Sequence, residues 1–332
     1  MISRGISLVC NGAAAGALAV LAFGWLWPVD LESTGEARLI LDSAAFFIRT
    51  LALQIAIGLV PVAILVALLR RWRAALVVAA LSLGAAWPTV RTWLPETPPR
   101  VGEASLCVLS VNLLAWNATP DLLANAIAKS PADVILLQEY SYDWHRRLEP
   151  KLGGQFPNIA AEPREGCFGT AIYSRRPFSQ PVDSGLPIGE TGNPQQRAVV
   201  QFGGREVALY NIHLLPPLGR SYIRPGRREA VDLAKILASE PLPAAVAGDF
   251  NFTNSCAQAD RLFSLGFRDS LDEGARGPQW SWPAIGAASG FPGIRLDHIY
   301  INRELRCASA QVLESGGSDH RPVLAELRWA AD

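Results

Sequence analysis

Ala244–Asn251 reads AAVAGDFN: four small apolar residues run directly into Gly248, Asp249, Phe250 and Asn251. A short apolar run closed by glycine and polar residues reads as a buried strand that delivers its last side chains to a loop. The same pattern recurs along the chain. Leu106–Val111 ends at Asn112, Asp133–Leu137 at Gln138 and Glu139, and Glu206–Ile212 at His213. Asp319 and His320 precede the apolar stretch Val323–Arg328. Rigid scaffolds tend to place chemistry at strand ends and in the loops that follow. One such polar residue is an ordinary turn residue or a solvated terminus. Six or more, of types that bind a hard cation and a phosphate, point to a site.

The remaining pattern fits a mixed α/β domain built on sheets. Gly169–Ser174 (GTAIYS) is a strand stopped by Arg175, Arg176 and Pro177. Ala198–Phe202 and Glu206–Ile212 flank Gly203-Gly204 as a hairpin. Ile299–Ile301 and Ala308–Val312 read as further strands, and Pro120–Lys129 and Arg227–Ser239 as helices. There are no internal repeats and no low-complexity tracts.

Taken in order, these pieces resemble the endonuclease/exonuclease/phosphatase superfamily, which includes DNase I-like nucleases, sphingomyelinases and inositol polyphosphate 5-phosphatases. The matching motifs are SVN ending at Asn112, LLQE at Glu139, GTAIYSRRP from Gly169, YNIH at His213, GDFN, LDHIYI around Asp297 and SDH at His320. They span roughly Ser105–Leu327. The resemblance implies a four-layer α-β-β-α sandwich and metal-dependent phosphoester hydrolysis. That reaction needs a water aimed in line, neutralised phosphoryl charge and a stabilised leaving group. Mg²⁺, or alternatively Mn²⁺, is the implied cofactor, with oxygen ligands. Glu139 is the carboxylate ligand it implies. Asn112 contributes an amide oxygen or an outer contact, and Asp319 a bond to the metal or its water. Asp249 fits the residue that orients or deprotonates water, and Asn251 a partner of that water or of a phosphate oxygen. His320 and His213 would donate to the phosphoryl oxygens. Asp297 would accept from the other ring nitrogen of His320. One departure is Leu114, where some nuclease members carry an acid.

Blander readings fit other candidates. His298 reads as a packing histidine, His145 as a solvated residue on a charged helix, and Asp133 as a turn or cap. Gln138 is more a neighbour of the site than a member. Trp280 and Trp282, in QWSWPA, are either core aromatics or part of a substrate-facing loop; Trp282 is taken as the substrate-binding candidate. Cys10, Cys107, Cys167, Cys256 and Cys307 lack zinc-type spacing. An external domain would permit disulfides without specifying a pair.

The whole chain is 332 residues with 30 basic and 30 acidic side chains and 50% apolar residues. Its mean hydropathy of +0.18 is high for a soluble enzyme. The excess lies in the first hundred residues. Ile6–Trp27, Thr50–Leu69 and Ala74–Leu94 each approach the roughly 20 residues that cross a bilayer core. The expected organisation is a three-helix membrane anchor over 1–95, a Pro-rich linker over 96–103 and a catalytic domain over 104–332. Arg70, Arg71 and Arg73 mark a cytoplasmic turn, and Asp30, Glu32, Glu36 and Asp42 an outer loop. Three crossings then leave the catalytic domain extracytoplasmic, on a multi-pass protein of the cell membrane.

From Ala104 onward there are 22 basic and 24 acidic residues. This balance disfavours tracking of a nucleic-acid backbone. A short tether and a slightly acidic domain favour a phosphoester substrate at the membrane: a phospholipid head group, or a polyprenyl phosphate or pyrophosphate. The plan of three helices followed by this domain resembles bacterial membrane-bound members, including VanJ-type teicoplanin-resistance proteins. The competing readings are an external nuclease and a non-catalytic membrane-bound binding module. The sequence leaves the oligomeric state open.

Overall fold

The apolar run that opens the chain forms one continuous helix, α1 (Ile2–Leu26). Three more helices follow: α2 (Glu36–Thr50), α3 (Ala52–Leu68) and α4 (Trp72–Val90). This computed structural model describes residues 2–94 and 101–331. The proline-rich stretch Pro95–Arg100, most of the expected linker, lies outside the described residues. The chain divides into two units, the first 94 residues and nearly all of the rest.

In the first unit two helices are long and apolar enough to cross a membrane: Arg4–Leu26, of 23 residues, and Trp72–Trp93, of 22. The expected second span differs from a single straight helix. α3 has only 17 residues and meets α2 at a 72° bend. α2 occupies much of the expected acidic outer loop. It is helical because its polar groups find partners: the buried Asp42 accepts from Trp27 Nε1 at 2.8 Å and from Arg38 Nε at 3.2 Å. Small residues line the contacts within this unit, among them Ala56, Ala74, Ala75, Val78 and Ala85. Ser82 donates to the Ala56 carbonyl at 2.7 Å. Large apolar side chains face outward instead; Leu8, Leu76 and Leu83 are each at least 70% exposed.

The second unit runs β1 (Val101–Asn112), α5 (Pro120–Ala128), β2 (Val134–Gln138), α6 (Tyr142–Leu152), β3 (Asn158–Glu162), β4 (Thr170–Ser174), β5 (Gln196–Phe202) and β6 (Arg205–His213). It continues with α7 (Arg220–Ala238), β7 (Ala244–Asp249), α8 (Ala257–Ser264), β8 (Arg268–Asp269), α9 (Ser270–Gly274), β9 (Asp297–Ile301), β10 (Leu305–Val312) and β11 (Val323–Ala330). β1 begins three residues before the expected domain start. Two mixed sheets form, ordered β10-β11-β1-β2-β4-β3 and β5-β6-β7-β9-β8.

Alternation along the strands builds the layers. Leu106, Val108, Val134, Leu136 and Ile172 of the first sheet join Val200, Val207, Leu209, Ala245, Ala247 and Ile299 of the second in one buried core. The intervening residues Leu109, Val111, Ile135, Leu137 and Tyr173 point the other way, onto Leu123, Ile127, Trp144 and Leu148 of α5 and α6. On the outer face of the second sheet, Tyr210 bonds Glu240, just past α7. There too, Phe263 of α8 lies edge-on to Tyr300. The result is helix, sheet, sheet, helix.

Two parallel pairs bring strand C-termini together. β1 and β2 align Asn112 with Gln138, and β6 and β7 align His213 with Asp249. Antiparallel β9 then sets Asp297 opposite Asp249. Gly203 and Gly204 close the expected hairpin, both at positive φ.

Candidate active site

Backbone strain gathers where these strands end. Leu114, Glu139 and Asn251 all have positive φ, near 55°, a conformation side-chain-bearing residues rarely adopt. Gly248 has no alternative: a Cβ there would stand 1.7 Å from the Ile212 carbonyl oxygen. The glycine of GDFN thus lets β7 press against β6 and turn Asp249 into the site.

Asp249 is the centre of the arrangement. Its Oδ2 accepts from Asn112 Nδ2 at 3.0 Å and lies 3.7 Å from His213 Nε2 and 3.6 Å from His320 Nε2. Its Oδ1 accepts the Asn251 backbone N–H at 3.0 Å. Asn112 Nδ2 also reaches Glu139 Oε1 at 3.2 Å, so one amide bridges two carboxylates. The Glu139 Oε2 accepts the Ala115 N–H at 2.8 Å. His320 Nδ1 pairs with Asp297 Oδ2 at 2.8 Å.

Asn112, Glu139, His213, Asp249, Asn251, Asp297 and His320 meet in this cluster, and Asp319 directly precedes His320. The Asn112 amide oxygen accepts the Leu114 N–H at 3.1 Å, while its Nδ2 bridges the Asp249 and Glu139 carboxylates. Asn251 Nδ2 is bonded to the Leu214 carbonyl at 2.9 Å, and so ties the β7 loop to the residue after His213. Asp319 keeps a buried Oδ1 without a partner. Trp282 is 37% exposed, in a loop whose Ala284 N–H donates to the Asp319 carbonyl at 2.8 Å. Gln138 is fully buried behind the site and donates to Asn211 Oδ1 at 2.7 Å. His298 is buried between Asp269 and the Phe252 carbonyl. His145 is half-buried on Tyr140 and Glu149, where solvent was expected. Asp133 accepts the Cys107 N–H at 2.9 Å, and among the described residues no disulfide joins the cysteines.

Several supporting residues gave no sequence signal. Gln195 holds the His213 backbone with two bonds, Nε2 to its carbonyl at 2.7 Å and Oε1 from its N–H at 2.8 Å. Ser281 Oγ accepts the Asp297 N–H at 3.0 Å. Ser318 Oγ donates to the Asn112 carbonyl at 2.8 Å and accepts the His320 N–H. The serine of SDH was visible in the motif, but not its bond to a strand 206 residues away.

The electrostatics separate the two histidines. Burial pushes both down. In His320 the neighbouring Asp297 and Asp249 carboxylates outweigh burial and raise it to about 10. In His213 burial wins over Asp249, and the ring stays neutral. Burial pushes Asp249 up, with Asp297 adding and His320 opposing. It also raises Glu139 against the Ala115 and Asn112 bonds. A cationic donor thus stands beside a neutral imidazole and a basic carboxylate, the separation that assigns acid and base roles.

Asp249, Asp297 and His320 have ligand atoms within 4.8 Å of one another. A cation held by all three is the weaker reading of that trio, because His320 is protonated and already spent on Asp297. The fit for a hard cation is better at Glu139 and the partnerless buried oxygen of Asp319, both acidic oxygen donors.

No curated protein matches the chain. Its fold is shared with solved structures of low identity. A 3′ phosphatase from Neisseria bound to product DNA hairpin is 20% identical, with 68% of this chain and 100% of that one covered at a TM-score of 0.57. A mannosyl-6-phosphatase from Bacteroides thetaiotaomicron is 18% identical, with 68% and 100% covered at 0.53. An endonuclease/exonuclease/phosphatase from Beutenbergia cavernae is 20% identical, with 69% and 72% covered at 0.55. The Endonuclease/Exonuclease/phosphatase family matches residues 108–320, which run from β1 to the histidine paired with Asp297. This chain belongs to that family of phosphoester hydrolases.

Proposed function

We propose that the protein is a membrane-anchored, divalent-metal-dependent hydrolase of a lipid-linked phosphate, pyrophosphate or phosphodiester at the outer face of the cell membrane. The observation that carries the chemistry is Asp249, raised by burial and set 3.6–3.7 Å from a cationic and a neutral imidazole. Asp249 accepts the proton of the attacking water. His320 donates from Nε2 to the phosphoryl oxygens as charge develops, while Asp297 holds its Nδ1–H. His213, fixed by Gln195, offers a second nitrogen on the same side. Asn112 keeps Asp249 and Glu139 at a constant spacing. When bound, Mg²⁺ or Mn²⁺ at Glu139 and Asp319 would neutralise phosphoryl charge.

Membrane anchoring rests on the two spanning-length helices and on the outward leucines, an inversion of a water-facing bundle. α2 and α3 together supply the third crossing. The arginines at 70, 71 and 73 then stay cytoplasmic, and the catalytic unit lies outside. A reporter fused after Asp332 should be active only in a periplasmic-type assay; cytoplasmic activity would contradict the topology.

The substrate reading rests on this anchor and on the catalytic unit's slight acidity. Its test is a screen of the full chain in nanodiscs against lipid phosphates, lipid pyrophosphates, phosphodiesters and DNA, with Mg²⁺. Release of phosphate or a phosphorylated head group from lipid supports it. Salt-sensitive DNA cleavage with inert lipids would establish the nuclease reading instead.

A further inference from the structure

Between Arg276 and Arg295 the chain runs for 18 residues, GPQWSWPAIGAASGFPGI, without a charged side chain. This segment, 277–294, is fastened to the catalytic loop at its base. The Arg321 N–H donates to the Ser281 carbonyl and the Ala284 N–H to the Asp319 carbonyl, both at 2.8 Å. Ser281 Oγ holds the Asp297 N–H. Trp282 and Ile294 exchange backbone bonds at 3.0 and 2.7 Å, closing the segment into a loop. Beyond that closure its apolar side chains face solvent: Phe291 is 73% exposed, Ile285 43% and Trp282 37%.

A charge-free, aromatic tip beside the site is costly in water and has no packing role in the core. Its composition suits the boundary between lipid head groups and acyl chains. Aromatic rings favour that boundary, and a tip without charges enters it with no ion to desolvate. The exposed Arg276 at its edge adds a cation suited to anionic head groups. The chain also supplies the bilayer: seven residues, 94–100, separate the apolar segment Trp72–Trp93 from β1, a connection of about 25 Å at full extension. With the helices in a bilayer, such a tether keeps the catalytic unit at its surface.

We propose that segment 277–294 is a bilayer-contacting loop, with Phe291, Ile285 and Trp282 seated in the head-group boundary beside His320. This rests on the membrane-anchored reading above. It assigns the loop the task of bringing the site to phosphates that lie at the lipid surface.

The test is photo-crosslinking of the full chain in nanodiscs of phosphatidylcholine and phosphatidylglycerol that carry a diazirine-bearing phosphatidylcholine. Peptide mapping should find lipid adducts in 277–294 as well as in α1 and α4. The F291S/I285S variant should lose the loop adducts at least tenfold, as expected for removal of two apolar side chains that the bilayer would cover. It should keep the α1 and α4 adducts and unfold within about 2 °C of the parent. F291L should retain the loop adducts. Adducts confined to residues 2–93 would overturn the loop's role and leave the anchored hydrolase standing. Absence of adducts from α1 and α4 would overturn the anchor, and this inference with it.

Discussion

At Asp249 one carboxylate is shared among Asn112, His213 and His320, and its ability to take a proton is the residue-scale basis of the proposed chemistry. D249N keeps the shape and the Asn112 contact but removes the base. It should lower kcat by about 10²–10⁴ with little change in KM, as read from steady-state kinetics on whichever phosphoester the full chain cleaves. A second buried acid acts at a distance. Glu229 accepts the Leu215 N–H at 2.7 Å, and Thr191 Oγ1 lies 3.4 Å from its other oxygen, so it holds the chain just after His213. Burial raises it to about 7 against those bonds. The folded state therefore binds more protons than the unfolded chain between about pH 4.5 and 7. Its contribution is full below that window and is lost as pH rises through it, roughly 3 kcal/mol in all. E229Q should flatten the fall in unfolding free energy between pH 4.5 and 8 by about that amount. An unchanged slope would show that Glu229 does not titrate there.

At the scale of elements, the site depends on β6 and β7 pressing close enough for His213 and Asp249 to sit in register. G248A tests this directly. A methyl group 1.7 Å from the Ile212 carbonyl forces the strands apart and should cost roughly 3 kcal/mol or more of stability. Thermal unfolding measures it, and a shift below about 2 °C would contradict the packing argument. The strands that end at Asn112, Glu139, His213 and Asp249 were legible because each is an apolar run stopped by a polar residue. α2 was not: its acids suggested a loop, and only their bonds to Trp27 and Arg38 show why they tolerate a helix. β3 and β8 lacked a signal because one is half-buried at a sheet edge and the other has two residues. Gln195, Ser281 and Glu229 were silent for another reason. A lone polar residue shows its partner only when distant chain segments meet.

At the scale of the whole molecule, the two units present different surfaces. The second buries apolar faces between layers, as a water-soluble domain must, whereas the first turns leucines outward. Averaging them produced the neutral, half-apolar composition of the full chain. The proposed reading, a hydrolase held at a lipid surface, needs both units, and its central claim is metal-dependent phosphoester cleavage at Glu139, Asp249 and His320. The most direct test is phosphoester release by the full chain in nanodiscs, with Mg²⁺ and then with chelator, for the parent, E139Q and H320A. The account predicts that chelation abolishes release and Mg²⁺ restores it, and that each variant loses at least about 10²-fold while remaining folded. Release that survives chelation, or that persists at parental rates in both variants, would contradict it.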